Sequence, residues 1–210
     1  PHHENEIAQS SCAHEGAPLA NYWLHNGMVV IEGQKMSKSL GNFVVVRDAL
    51  KRWRGEEIRW LLLSAHYRQP LDWTEAGLQQ ARSNLDRVYT ALRRSDEASE
   101  STTPDSGLER VRSALRDDFN TPLAFTELMA LVGRLNRADV AIERAALAAA
   151  IRAAGALLGV AGGNTESWFQ TGSNELAAEE IDALIAKRKA ARDGKDFATS
   201  DHIRDALMDQ

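Results

Sequence analysis

The sequence contains one cysteine, Cys12, among its 210 residues. A single thiol forms no internal disulfide, and it excludes a zinc site that takes two or more thiolates from this chain. No apolar run approaches the roughly 20 residues that cross a bilayer, and the first residues are too polar for a signal peptide. We therefore expect a cytoplasmic protein with no membrane partner.

A strong charge of either sign is also missing. The chain has 30 acidic and 25 basic residues and a formal net charge of −5, with 43% hydrophobic and 26% charged residues. This composition is typical of a globular protein of one or two domains and excludes disorder over the whole length. It argues against a nucleic-acid binder that works by bulk charge, so such a partner would need a local basic stripe.

The chain lacks an initial Met and begins at Pro1, directly on a dense polar cluster. It also lacks a Gly-rich turn between a strand and a helix, the turn with which a dinucleotide-type fold binds phosphates. From the missing Met and the polar start we expect a truncated N-terminus.

Apolar spacing predicts a mainly α fold. A short helix to about residue 14 is followed by one or two strands between Tyr22 and Ile31, with Asn26-Gly27 as a hairpin turn. From residue 46 onward almost every segment has helical periodicity. Thr121-Pro122 predicts an N-cap and the first residue of a helix.

Three apolar seams, with members three or four residues apart, predict an antiparallel helical bundle. Their members are Leu78, Ala81, Leu85, Val88 and Leu92, then Ala124, Leu128, Leu131 and Leu135, then Leu147, Ile151, Ala154 and Leu158. The glycines of residues 161–173 predict a linker. Residues 175–192 and 196–208 are predicted to form a helical hairpin that turns at Asp193-Gly194.

The strongest local pattern is Lys35-Met36-Ser37-Lys38-Ser39, followed by Leu40-Gly41-Asn42. It lies in a predicted loop, residues 33–42, after a strand and before a helix. Two ammonium groups three residues apart, with two hydroxyls and the free N–H groups of the next helix close by, can close over a polyphosphate. A solvated surface loop is the alternative interpretation of such a lysine-rich pentapeptide taken alone.

The first residues contain a second pattern. His2 and Glu6 are four residues apart, so on a helix their imidazole and carboxylate project from one face and could bind the same Zn²⁺. The alternative is a pair of solvated residues near a helix start. Cys12 and His14 are poor replacement ligands, because Cys12 lies six positions after Glu6, about 9 Å farther along a helix. We predict that Cys12 is a small buried thiol.

A basic stripe lies near the C-terminal end, where Arg188, Arg192 and Lys195 recur at spacings of four and three. These cations suit RNA phosphates or base edges. The apolar residues of the same helix, Ile181, Leu184 and Ile185, are predicted to face inward. A solvated helix face is the alternative for any single charge.

Four motifs together resemble cysteinyl-tRNA synthetase, a class I aminoacyl-tRNA synthetase, and the resemblance extends over essentially all 210 residues. They are Pro1-His2-His3-Glu4-Asn5-Glu6-Ile7-Ala8-Gln9-Ser10, Asn21-Tyr22-Trp23 with Gly27-Met28, the Lys35 to Asn42 signature loop, and Asp118-Phe119-Asn120-Thr121-Pro122. The His-His-Glu-Asn-Glu run makes the resemblance specific, because most other synthetases do not share it.

The resemblance implies ATP-dependent activation of L-cysteine and its transfer to the tRNA for cysteine, by an enzyme expected to be a monomer. It implies that Lys35 and Lys38 are catalytic, and that ATP, with Mg²⁺, is bound by Lys35, Met36, Ser37, Lys38 and Ser39. It implies that His2 and Glu6 bind zinc together with two upstream cysteines that this chain lacks. Arg192 and Asp201 match positions that touch anticodon bases, Phe197 is placed to stack on one, and Arg188 and Lys195 complete the implied tRNA contacts.

The implied fold is the end of a class I Rossmann-type catalytic domain with the signature loop, then an antiparallel helical bundle and a C-terminal helical hairpin. Residues 1–45 would end the catalytic domain and carry the zinc-ligand helix and phosphate loop, and residues 46–73 would form a connecting stem-contact region. Residues 74–160 would be the bundle, and residues 161–210 a linker and a truncated anticodon-recognition hairpin. Without the ATP-binding half, we expect this chain to be inactive alone.

Two alternatives keep part of this interpretation. A related ligase couples cysteine to an amino-sugar cyclitol in thiol biosynthesis and shares the loop and the zinc ligands. It needs no anticodon domain, so residues 108–208 disfavour it. A non-catalytic tRNA-binding paralogue would have lost the phosphate loop, whereas Lys35 to Ser39 is intact.

Overall fold

The computed structural model describes residues 2–37, 40–95, 103–170, 178–194 and 196–208. Contacts divide the chain into two compact units, Pro1–Gly162 and Gly163–Gln210, which are described separately below. Among these described residues, no helix is both long enough and apolar enough to cross a membrane.

The chain begins with a surface helix, α1 (His2–Ala13), as the sequence predicts. None of its residues is buried, and Cys12 is exposed. The prediction of a buried thiol is therefore wrong. Its physical reason is that α1 has polar residues on every side and turns no face to a core in the described part of the chain.

A small three-stranded sheet follows, with strand order β2-β1-β3. β1 (Val29–Ile31) and β2 (Gln34–Lys35) form an antiparallel hairpin, and β3 (Leu71–Trp73) pairs parallel to β1 with Val29 opposite Leu71. The parallel pairing makes β1 the central strand. The sequence did not predict β3, because three residues carry too short a pattern.

The hairpin turns at Glu32-Gly33, so the prediction of a turn at Asn26-Gly27 is wrong. Glu32 and Gly33 have φ values of 48° and 74°, the left-handed conformation that both residues of a tight two-residue turn need. The Gly33 N–H donates to Asp72 Oδ1 at 3.0 Å, which fastens the turn to β3. Gly27 has a different role, because an added Cβ there would lie 2.2 Å from the carbonyl oxygen of Gln69.

Between β1 and β3 the chain forms α2 (Val46–Ala49) and α3 (Gly55–Leu63). They enclose a small core with the start of α4 (Glu75–Arg93). Its buried members are Ala49, Ile58, Leu61 and Leu78, with Val44, Trp53 and Trp73 packed against them. This core joins the sheet region to the helices that follow.

The predicted bundle consists of α4, α5 (Leu108–Arg116), α6 (Thr121–Leu135) and α7 (Ala141–Leu158). All members of the three predicted seams are buried, which confirms the bundle. α6 contacts α4, α5 and α7, and α3 joins through Trp60, whose ring stacks on Phe125 at 4.0 Å between centroids. The N-cap of α6 is Asn120 rather than Thr121, because the Asn120 side chain accepts from the Leu123 N–H at 3.2 Å.

The second unit contains α8 (Thr165–Gln170), α9 (Ala178–Asp193) and α10 (Phe197–Met208). α8 falls within the predicted linker and corrects it. Asn164 starts this helix by accepting from the N–H groups of Glu166 and Ser167 at 2.9 and 3.0 Å. α9 and α10 contact each other as the predicted hairpin. Ile185 is 53% exposed, so the inward prediction is wrong for it, since a two-helix hairpin buries only one stripe.

Candidate functional site

The signature loop is held by one side chain, that of Asn42. Its amide nitrogen donates to the Lys35 carbonyl at 3.3 Å, and its amide oxygen accepts from the Ser37 N–H at 2.9 Å. The Leu40 N–H donates to the Ser37 hydroxyl oxygen at 3.2 Å. Lys35 belongs to β2, so the loop begins later than residue 33, where the sequence placed its start. Lys38 and Ser39 lie outside the described residues.

The Lys35 ammonium is available to a ligand. Lys35 is exposed, and no carboxylate pairs with it among the described residues. Two acidic residues of the same region have other partners: Asp72 accepts from the Gly33 N–H, and Asp48 pairs with Lys51 at 2.6 Å. A positive charge that no neighbouring carboxylate neutralises, at the base of a braced loop, suits an anionic ligand such as a polyphosphate.

The structure brings His2 and Glu6 together on α1, with Nδ1 and Oε1 3.7 Å apart and the side chains 81% and 51% exposed. Beside them lies a groove of about 520 Å³ lined by His2, His3, Glu4, Ile7, Trp23 and His25. The His3 and His25 rings are 4.9 Å apart between centroids, and Trp23 stacks on His25 at 6.1 Å. Sequence reasoning missed His25, because 19 residues separate it from Glu6.

His2 and Glu6 offer donor atoms that zinc accepts. One imidazole nitrogen and one carboxylate oxygen on one helix face fit two positions of a tetrahedral zinc site. In the part of the chain that the structure describes, no three His, Cys, Asp or Glu residues converge as a metal cluster. His2 and Glu6 could therefore supply at most two of the four ligands of such a site.

In the second unit, Arg188 is half-buried and Arg192 is exposed one turn later on α9. On α10, Phe197 is 62% exposed, and the Asp201 carboxylate pairs with Arg204 at 3.0 Å. Lys195 lies outside the described residues. The turn between the helices is fixed by Asp196, whose pKa is lowered by its hydrogen bonds from Thr199.

Sequence reasoning also missed a charged cluster around Asp118, a residue that entered only as the first member of the Asp118-Phe119-Asn120-Thr121-Pro122 motif. The Asp118 carboxylate accepts from the Tyr67 hydroxyl at 2.6 Å and from Arg68 Nε at 2.7 Å. The Arg68 guanidinium, followed by the Tyr67 hydroxyl, lowers the pKa of Asp118 to about 2. Of these two partners only Arg68 carries a charge that could indicate the pair, and both partners lie about 50 residues earlier in the chain.

Two family models match the chain. The model described as the catalytic domain of class I (C) tRNA synthetases matches residues 1–83, and the DALR domain model matches residues 110–162. The first match contains α1, the sheet, the Lys35 loop and α3. The second contains most of α5 and all of α6 and α7.

Proteins named cysteine–tRNA ligase are similar to this chain over its whole length. The protein of Rhodospirillum rubrum is 51% identical over 99% of this chain, that of Parvibaculum lavamentivorans 48% over 100%, and that of Caulobacter vibrioides 46% over 99%. In each case the match covers 45% of the relative. The chain thus spans less than half the length of these curated relatives.

A solved structure is similar in fold. The LeuRS in a crystal structure of a LeuRS-tRNA-LeuAMS ternary complex, from Agrobacterium radiobacter K84, matches 72% of this chain with a TM-score of 0.53 and 22% identity. The match covers 22% of that protein. The likeness supports the mainly helical fold with a small sheet.

Proposed function

We propose that this chain, which belongs to the cysteine–tRNA ligase family along its whole length, forms part of an enzyme that activates L-cysteine with ATP and transfers it to the tRNA for cysteine. The observation that carries the proposal is the Asn42-braced loop, which fixes the backbone of Lys35, an exposed lysine with no carboxylate partner among the described residues. We also propose a monomer that works in the cytoplasm, where tRNAs are charged.

In the proposed reaction the cysteine carboxylate attacks the α-phosphorus of ATP, and pyrophosphate leaves. Negative charge grows on the phosphoryl oxygens in the transition state. Lys35 and Lys38 would neutralise this charge, while the Asn42 brace holds the backbone of the loop ready and so reduces the cost of ordering it. Mg²⁺ would accompany ATP as part of the substrate. The amides of Met36 and Ser39 and the hydroxyl of Ser37 would complete the phosphate contacts, since the Ser37 amide donates to Asn42.

His2 and Glu6 are the residues of this chain that would hold zinc. Zinc, when bound, would select the cysteine thiolate over a serine hydroxyl, because it binds soft sulfur better than oxygen. The 3.7 Å separation and high exposure of the two side chains support this role, since both can turn toward a shared ion. The neighbouring Trp23 and His25 would shape the side of the groove where a small side chain could lie.

Residues of the second unit would read the tRNA. Arg188, Arg192 and Lys195 would contact phosphates or base edges, Phe197 would stack on a base, and Asp201 would accept from a base edge. The exposure of Arg192 and Phe197 supports this proposal. Asp201 would exchange its Arg204 pair for a base, at small cost, because exposed ion pairs contribute roughly 0–1 kcal/mol.

The main test substitutes Lys35→Ala and Lys38→Ala in the full-length enzyme and measures cysteine-dependent pyrophosphate exchange. Loss of one transition-state contact costs roughly 2–4 kcal/mol, so each variant should lower kcat about 30- to 1,000-fold with little change in the KM for cysteine. Lys51→Ala is the matched control, because Lys51 is an exposed lysine whose partner is Asp48. An unchanged rate in the loop variants at saturating ATP would remove the loop from the mechanism.

A second test uses His2→Ala, with His14→Ala as a control on the same surface. His2→Ala should lower the zinc content, raise the KM for cysteine and weaken discrimination against serine. Full zinc content with normal discrimination would show that His2 is a solvated helix-start residue. Aminoacylation of tRNA, measured alongside, separates this enzyme from a cyclitol ligase, which would activate cysteine without charging tRNA.

A further inference from the structure

We propose that Asp118, in the turn between α5 and α6, is a positioning residue for the Lys35 loop. It would act by holding residues 66–69 against the start of β1, the strand that leads into β2 and the loop. The inference rests on the proposed function, because it assigns a catalytic consequence to the placement of Lys35. The structural part of the inference is the set of contacts between Asp118 and residues 66–68, called the clamp below, and these contacts all lie within the first unit.

The first step is the clamp at Asp118. Its carboxylate accepts from the Tyr67 hydroxyl at 2.6 Å and from Arg68 through Nε at 2.7 Å and Nη2 at 3.2 Å. His66 Nε2 lies 3.9 Å from the same carboxylate. One side chain of the bundle therefore contacts three consecutive residues of a segment about 50 positions earlier.

The backbone of the turn is shaped for this contact. Asp118 and Phe119 have φ values of 51° and 53°, so two successive residues other than glycine are left-handed. Such residues cost free energy and persist where surrounding contacts fix them, often at functional sites. The Asn120 N–H donates to the Ala114 carbonyl at 3.1 Å, which closes the turn on α5. The bundle thus holds the carboxylate in a defined place.

The second step runs from Tyr67 to β1. The Gly27 N–H donates to the Tyr67 carbonyl at 2.6 Å. Tyr67 therefore binds Asp118 through its hydroxyl and, through its carbonyl, the chain just before β1. At the same place the backbones are so close that a Cβ on Gly27 would lie 2.2 Å from the Gln69 carbonyl oxygen. A shift of residues 67–69 would therefore be transmitted to Gly27 directly.

The third step runs from Gly27 to Lys35. The Leu71 N–H donates to the Met28 carbonyl at 2.9 Å, and β1 then pairs with β3 on one side and with β2 on the other. Val30 of β1 is the register partner of Lys35. A continuous series of hydrogen bonds thus joins Asp118 to the strand residue that carries the proposed catalytic ammonium.

The consequence is a coupling between the bundle and the loop. In a catalytic site a displacement of about 1 Å can lower the rate about a hundredfold, so small errors in the placement of Lys35 matter. Asp118 touches no reacting group in this arrangement. Its loss should therefore slow the chemical step without weakening the binding of cysteine.

The first experiment measures the clamp without using activity. Amide hydrogen exchange is followed in the full-length protein for Asp118→Asn, for the milder Tyr67→Phe, which removes one hydrogen bond, and for Asp117→Asn. Asp117 is an exposed neighbour that makes the matched control, since the charge change is the same. Asp118→Asn should speed exchange at the Gly27 and Leu71 amides several-fold, Tyr67→Phe less so, and Asp117→Asn should leave it unchanged. Unchanged exchange in both clamp variants, or an equal effect in Asp117→Asn, overturns the proposal.

The second experiment measures pyrophosphate exchange with the same variants. Asp118→Asn should lower kcat about tenfold, with the KM for ATP and cysteine changed less than about twofold, and Tyr67→Phe should give a smaller loss in the same direction. Faster amide exchange with a normal kcat, or a loss that appears only in KM, overturns the positioning role. If the unaltered enzyme shows no exchange activity, the proposed function fails and the catalytic part of this inference with it, whereas the amide data still decide the clamp.

Discussion

The bundle and the N-terminal segment of the first unit are built differently. In the bundle, Leu85, Val88, Leu128, Leu147 and Ile151 have no exposed surface. Among the described residues from 2 to 53, Ala49 is the only buried one. The residues proposed for chemistry, His2, Glu6 and Lys35, all lie in this second kind of structure. The proposed site residues thus lie in a segment with little buried side-chain surface of its own.

The N-terminal segment also exposes apolar surface. Its exposed large hydrophobic residues are Leu19, Tyr22, Trp23, Leu24, Met28, Leu40, Phe43, Val45, Val46 and Leu50, with Tyr22 at 86%. Before the small core around Ala49, the contacts that hold the segment are largely between backbones: the Gly27 approach to residues 67–69 and the pairing of β1 with β3. We therefore expect side-chain truncations to damage the bundle, and backbone changes to damage the segment.

The largest effect is expected for Leu128→Ala in the bundle. Leu128 is fully buried on α6, so the substitution loses transfer free energy and leaves a cavity, at a cost of about 3–5 kcal/mol in the free energy of unfolding. The matched change in the N-terminal segment is Leu24→Ala, where the side chain is 54% exposed and the cost should stay below about 1 kcal/mol. Urea denaturation of the 210-residue chain measures both. Equal costs would show that the two regions are stabilised alike.

Gly27→Ala should produce the next largest effect. The added Cβ meets the Gln69 carbonyl, which is backbone and cannot rotate away, so we expect a cost of about 1–3 kcal/mol and a loosened β1–β2 hairpin. Tryptic cleavage after Lys35 should become faster. Gly162→Ala is the control, since nothing lies within 4 Å of a Cβ there. A variant as stable and as resistant to trypsin as the control would show that Gly27 is not the point of attachment.

The same contrast explains what the sequence could predict. The seams of α4, α6 and α7 were predicted correctly because a buried helix face repeats every three or four residues, and the repeat is local. The loop and the His2–Glu6 pair were also found locally, by lysine spacing and by the i, i+4 relation. Whether these residues perform the proposed chemistry stays a prediction.

The failures share a cause, which is distance along the chain. Asn26-Gly27 has the stronger local preference for a hairpin turn, but Gln69, about forty residues later, requires glycine at position 27 for close approach. Residues 71–73 form the strand β3 because their backbone pairs with β1, which lies about forty residues earlier. The Asp118 carboxylate binds Tyr67 and Arg68, and no periodic pattern connects residues so far apart in the chain. Cys12 was placed inside because free thiols are commonly buried, whereas α1 offers it no core.

A smaller effect should follow from Asp105→Asn, which tests the polar contacts of the bundle. Asp105 accepts from both Arg134 nitrogens at 2.7 and 2.8 Å and from the Gly107 N–H at 2.7 Å. The Arg134 hydrogen bonds, then the Gly107 N–H, lower the pKa of Asp105 below its ordinary value. Charged hydrogen bonds of this kind contribute about 1–2 kcal/mol when partly exposed, so the variant should lose that much at pH 7.

The loss of stability in Asp105→Asn should depend on pH, and the lowered pKa of Asp105 sets the direction of that dependence. A carboxyl whose pKa is lower in the folded state stabilises the fold above its unfolded pKa, and the contribution is lost as the pH falls through the folded value. The stability gap between the unaltered chain and Asp105→Asn should therefore be full at pH 7 and shrink below about pH 4. Asp139→Asn, an exposed control, should show no such gap. If this difference in stability stays constant down to pH 3, the ionised Asp105 carboxylate does not stabilise the fold through Arg134.

The smallest effect is expected for Cys12→Ser, which tests the exposed N-terminal segment as Leu128→Ala tests the buried bundle. Cys12 is exposed on α1, a helix with no buried residue, so replacing sulfur with oxygen should change the free energy of unfolding by less than about 0.5 kcal/mol. The single thiol of the 210-residue chain should react with a thiol reagent in native buffer as completely as in urea. A buried sulfur would react slowly with the reagent, and its replacement by serine would lower the free energy of unfolding. The two measurements should therefore agree. A protected thiol, or a loss near that of a buried residue, would mean that α1 packs on a surface and that the N-terminal segment has a core after all.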